Sequence, residues 1–121
     1  MLVRVRSGTV LGVTAVPVDV EVEVAQGMPN VHVVGLPGHC VQEAKFRVFA
    51  AIRNVGVQLS SRRTTINLAP GDLRKDGPGF DLPIAVALLA AAGELRPAPL
   101  ERVHFVGELS LSGEVKPVRG V

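Results

Sequence analysis

The stretch Asp72-Leu73-Arg74-Lys75-Asp76-Gly77-Pro78-Gly79-Phe80-Asp81 gathers charged and turn-forming residues directly before an apolar run. A loop that opens a buried helix offers free backbone N–H groups and the positive end of the helix dipole, and both favour anions. Arg74 and Lys75 add cations beside that position, while Asp72, Asp76 and Asp81 offset them. Gly77-Pro78-Gly79 reads equally well as a tight turn. Arg62-Arg63 forms a second cationic pair, open to two readings: phosphate contact or the solvated start of a strand. With Arg119 near the end of the sequence, these are the cations expected to hold phosphates, without reading bases, if the chain touches nucleic acid.

Other chemistries find less support. A phosphate-wrapping P-loop needs Gly-Lys, and the sequence contains no such dipeptide. His32, His39, His104 and Cys40 show none of the paired spacings of metal sites, so no metal is expected. Cys40 reads as a small apolar residue. Asp19, Glu21 and Glu23 alternate along one strand face; a general acid and base must converge with separated pKa values, and a solvated sheet face accounts for these acids better.

The elements that would position these residues are legible from periodicity. Val3, Val5 and Ser7 alternate with Arg4 and Arg6, and Val18, Val20, Val22 and Val24 alternate with the three acids, as half-buried strands do. Val31 to Val34 continues after a Gly-Met-Pro-Asn break, and the three strands are expected to form an antiparallel meander. Val41, Ala44, Val48, Ile52 and Val55 recur at helical spacing, with Glu43 and Arg47 placed as an i,i+4 pair and Gly56 closing the helix. Arg63 to Leu68 predicts a strand. Asp81 to Ala92 predicts a helix apolar on all sides, with Asp81 capping its first turn and Pro83 inside that turn. Val103 to Val106 and Glu108 to Val118 predict a final strand pair turning at Ser112-Gly113. Strands followed by alternating helices and strands give an α+β domain with helices packed on a sheet.

Composition sets the outer bounds. At 121 residues and 47% hydrophobic, the chain fits one domain with one core and excludes disorder. Formal charge is only +2, too balanced for attraction of nucleic acid by the whole surface. With four Phe and no Trp or Tyr, stacking platforms for single strands are not expected. The single cysteine excludes an internal disulfide. No segment has the length of a bilayer span or the form of a signal peptide, so the expected location is cytoplasmic.

Several segments in order resemble the N-terminal domain of the magnesium-chelatase-like AAA+ proteins, the ComM/YifB group. They are Val33-Val34-Gly35-Leu36-Pro37, Glu43-Ala44-Lys45 with Arg47-Val48, Ile66-Asn67-Leu68-Ala69-Pro70 with Asp72-Leu73, and Phe80-Asp81-Leu82-Pro83-Ile84-Ala85. Phe105 to Gly113 and Pro117-Val118-Arg119-Gly120 complete the set. The resemblance implies a ribosomal protein S5 domain 2-like scaffold: a mostly antiparallel sheet with two main helices, shared with the proteolytic domain of Lon. It implies that residues 1–121 are one N-terminal domain, with an AAA+ module downstream using ATP and Mg, in a parent that forms a homo-oligomeric ring. That parent would remodel DNA by branch migration during natural transformation. It also implies no membrane partner and no cofactor in this domain.

Two alternatives remain. Lon-type proteases carry a nucleophilic Ser in a turn matching Gly77-Pro78-Gly79-Phe80-Asp81, and here Gly79 stands where that Ser would be, so acyl transfer lacks its nucleophile. A free-standing nucleic-acid-binding module is the other, with salt-dependent affinity as its signature.

Overall fold

A computed structural model describes residues 1–59 and 62–118. The chain opens with a long hairpin: β1 (Leu2–Leu11) pairs antiparallel with β2 (Thr14–Ala25), Arg4 opposite Glu21 and Val5 opposite Val20. The period of two assigns the faces as the sequence predicts. Val3, Val5 and Ser7 are buried, as are Val18, Val20 and Val22, while Arg4 and Arg6 stand on the open face. On that face Arg4 Nη2 meets Glu21 at 2.9 Å, and Asn67 donates to the other oxygen of Glu21 at 2.9 Å.

The third strand, β3 (Asn30–Val34), does not extend the hairpin into a meander. The helix α1 (His39–Asn54) follows it, then β4 (Arg63–Ala69), and β3 lies parallel to β4 with Val33 beside Ile66. The sheet order is therefore β1-β2-β4-β3, with β4 antiparallel to β2. A strand, a helix and a returning strand form a crossover unit, whose natural product is a parallel pair. The link carries a close approach. Gly35, at φ +99°, lies against the backbone of Leu68, and a side-chain carbon there would fall on the Leu68 carbonyl oxygen. Only glycine satisfies both conditions.

The helix α2 (Asp81–Ala91) is buried on nearly every side, as its uniform apolarity predicts. It lies with α1 on one face of the sheet. Val41, Ala44, Val48, Ile52, Ile84, Ala87 and Leu88 meet Val5, Val20, Val22, Ile66 and Leu68 in one core. Gly56, at φ +96°, closes α1 as expected. The fold is α+β, with a mostly antiparallel sheet and two main helices on it.

The last segment departs from expectation. Residues 103–106 make no strand; only His104 bridges Arg6, with the Phe105 N–H donating to the Arg6 carbonyl at 2.9 Å. A strand pair does form beyond it, but short: β5 (Glu108–Leu109) against β6 (Val115–Lys116). Among the described residues, no helix is long and apolar enough to cross a membrane.

Candidate functional site

The loop between β4 and α2 is held by one of the two cations expected to meet an anion there. Lys75 is fully buried. Its N–H donates to the Leu36 carbonyl at 3.0 Å and its carbonyl accepts from Gly38 N at 2.6 Å. Its ammonium donates to the Gly35 carbonyl at 2.8 Å and to that of Pro70. Lys75 is thus a staple between the β3–α1 and β4–α2 loops, and the expectation that it holds a phosphate is corrected. Two backbone carbonyls already take its charge, and no anion reaches a fully enclosed ammonium. Burial lowers its pKa, partly opposed by Asp72. Arg74, next to it, points to solvent and remains free to meet an anion.

Asp81 does not cap its own helix. The Leu82 N–H of the first turn donates to the Gly107 carbonyl at 3.0 Å, and Gly107 N donates to the Gly79 carbonyl at 2.9 Å. The Asp81 carboxylate, 1% exposed, faces inward to α1 and β5. It accepts from Arg47 Nε at 2.9 Å, Arg47 Nη2 at 3.0 Å and Leu109 N at 3.1 Å. The i,i+4 pairing of Arg47 with Glu43 is accordingly replaced. Arg47 also donates to the Cys40 carbonyl at 3.1 Å, and Glu43 pairs with His39 at 3.1 Å. Hydrogen bonding to Asp81 raises the pKa of Arg47, fixing its charge. A fork matched to a carboxylate in a shielded site outcompetes a solvated pair one helical turn away.

Gly77, Pro78 and Gly79 form the turn before α2 and border a cleft of about 560 Å3. Its other walls include Gly8, Thr9, Val106, Glu108 and Val118. The Thr9 hydroxyl is the one hydroxyl or thiol among the described lining residues, where Asp76 and Glu108 supply carboxylates but no His or Lys stands beside it. Acyl transfer needs both groups within hydrogen-bond reach.

Arg62 and Arg63 diverge. Arg63 shares the open face with Thr65 and Asn67, where its stem packs beside Gly27. Arg62 turns to the helix side and lines a cleft of about 500 Å3 with Asn30, Phe49, Arg53, Gln58 and Thr64. A smaller cleft of about 230 Å3 continues past Arg62, Phe49 and Leu88. No carboxylate lines either one among the described residues. The two arginines therefore cannot clamp one phosphate, but Arg62 and Arg53 border one groove. Arg53 escaped the sequence reading because it lies in a helix, separated from the paired arginines by the connection that brings the chain back to the sheet. Arg119 lies outside the described residues. Among those residues, no group of three or more His, Cys, Asp or Glu gathers as a metal site would require.

The profile of a protein family described as "Subunit ChlI of Mg-chelatase" matches residues 20–121. The chain belongs to this family. Among curated relatives, this ChlI-family chain is 47% identical to the uncharacterized protein YifB of Salmonella typhimurium over 119 residues, 98% of the chain and 24% of YifB. It is 43% identical to the competence protein ComM of Haemophilus influenzae over 120 residues, 99% of the chain and 24% of ComM. A Lon protease from Dictyoglomus thermophilum is 30% identical over 109 residues, 84% of the chain and 14% of that protease. The chain thus spans about a quarter of the length of the YifB and ComM relatives.

Proposed function

We propose that this chain is the non-catalytic N-terminal domain of a ComM-type AAA+ ATPase whose ATP-driven work is DNA remodelling, by branch migration during natural transformation. The observation that carries the reading is the likeness to ComM, which runs over 99% of the chain and uses 24% of ComM. On this reading the remaining length holds the motor, and ATP and Mg belong to it. The sequence has no Gly-Lys pair, so on this reading the chain does not wrap a triphosphate by the P-loop route. Gly79, in the turn that holds a serine in Lon-type proteases, favours binding or subunit packing over proteolysis. The working form is a cytoplasmic homo-oligomeric ring, in which this domain contacts DNA or neighbouring subunits. Of the cations the sequence suggested, Arg62, Arg63 and Arg74 are exposed and offered to phosphates, Arg62 and Arg63 on opposite sides of the sheet.

The test is the full-length protein, with ATP hydrolysis followed with and without branched DNA, beside residues 1–121 alone. The expected result is DNA-stimulated hydrolysis by the full-length protein, and neither ATP nor peptide hydrolysis by the isolated chain. A full-length protein that hydrolyses no ATP, or peptide cleavage by the isolated chain, overturns the reading.

A further inference from the structure

One helix face is anomalous for a domain so poor in aromatics. Two of the four phenylalanines, Phe46 and Phe49, lie on α1 three residues apart, and Arg53 follows one turn later. At 3.6 residues per turn the three share one face. Phe46 is 68% exposed, and nothing in the core requires it. Lys45 places its ammonium 5.3 Å from the centre of the Phe46 ring. Phe49 packs its inner side against the core and lines both clefts that Arg62 borders. Asn30, Gln58 and Thr64 add amide and hydroxyl groups to the same walls. Glu43, the acid nearest along the helix, is engaged by His39.

We infer that the face of α1 carrying Phe46, Phe49 and Arg53, together with Arg62 beside β4, binds single-stranded nucleic acid. The inference rests on the DNA-remodelling reading above and names the surface and the strand state. Every base has a π face, so rings presented on a helix hold successive bases without selecting sequence. Lys45, Arg53 and Arg62 flank those rings and match the backbone charge, and among the described residues no carboxylate lines the groove to oppose it. In a duplex the bases are already stacked on one another, so the aromatic part of this surface recognises only unpaired strands. A net charge of +2 is no obstacle, because the cations are local to the groove.

The test compares full-length wild type with Phe46→Ala, Arg53→Glu and Arg62→Glu by fluorescence anisotropy. The probes are a labelled oligothymidylate and a duplex of equal length, each over a sodium chloride series. Circular dichroism checks folding, which exposed positions leave intact. Phe46→Ala is expected to weaken oligothymidylate binding roughly tenfold with its salt slope unchanged and duplex binding unaltered. Arg53→Glu and Arg62→Glu are expected to lower the salt slope by about 0.7 for each phosphate no longer neutralised. Wild-type affinity in Phe46→Ala, or an unchanged slope in both arginine variants, overturns the inference. If those variants alter ring size in light scattering while binding persists, the face packs subunits and the inference fails. In either case retained DNA-stimulated ATP hydrolysis leaves the parent reading standing, whereas a wild type without hydrolysis or DNA affinity removes both.

Discussion

Replacing Arg47 with Ala isolates the interaction that joins α1 to the start of α2. Asp81 would keep one hydrogen bond, from Leu109 N, and lose both guanidinium bonds, at 2.9 and 3.0 Å. A carboxylate with 1% exposure cannot recruit bulk water in their place. Removing one partner of a buried pair costs about 3–5 kcal/mol. Because the Arg47 side chain is 24% exposed, the lower end applies, about 3 kcal/mol. For 121 residues, an unfolding entropy of about 2.1 cal/mol/K per residue turns that into a fall in Tm of roughly 12 °C. With no Trp or Tyr to report by fluorescence, urea and thermal unfolding are followed by far-UV circular dichroism. Arg47→Met combined with Asp81→Asn should recover part of the loss, since no bare charge remains buried. A loss below about 1 kcal/mol in Arg47→Ala, or no coupling in the double-mutant cycle, would refute the argument that this pair is a buried lock.

Lys75→Met keeps the apolar stem but takes the ammonium donor from the Gly35 carbonyl and leaves Pro70 only the Leu73 N–H, at 3.4 Å; it should cost about 1–3 kcal/mol in urea unfolding. Arg74→Met, at the exposed neighbour, should stay within about 0.5 kcal/mol. Hydrogen bonds from Asn67 and then Arg4 lower the Glu21 pKa below 4.5. Its contribution to stability is therefore present above that value and lost as pH falls through the lower folded pKa. Glu21→Gln should flatten the acid limb of the stability profile, and an unchanged limb would show that the network contributes nothing.

Periodicity carried most of the architecture, because it reports directly which side of an element meets the core. The alternating Val residues of β1 and β2 and the helical repeat of α1 are found where the sequence predicts them. What it could not report was partner choice. β3 satisfies the pattern of a strand beside β2 as well as one beside β4, and only the intervening helix argues for the parallel pairing. Charged residues misled for a related reason. Lys75 and Asp81 look solvent-bound in a string of letters, yet one is enclosed by carbonyls and the other by a guanidinium from a residue 34 positions away. The clue for Asp81 was its place at the head of a helix with no polar side. Counting aromatics likewise gave no warning that two of them share one helix face.

The way the sheet ends has a consequence for how copies of the chain coexist at high concentration. Open strand edges recruit further strands, and six- or seven-residue runs suffice to build a fibre. Here β3 offers 5 residues, and Phe105 crosses the edge of β1 at Arg6, dividing it into two short stretches. The uncovered face adds salt-bridged charges of both signs, Arg4 with Glu21, which must be desolvated before another sheet can stack on it. A chain rich in valine, with positive mean hydropathy, thereby keeps its strand-forming sequence from becoming a template for its neighbours.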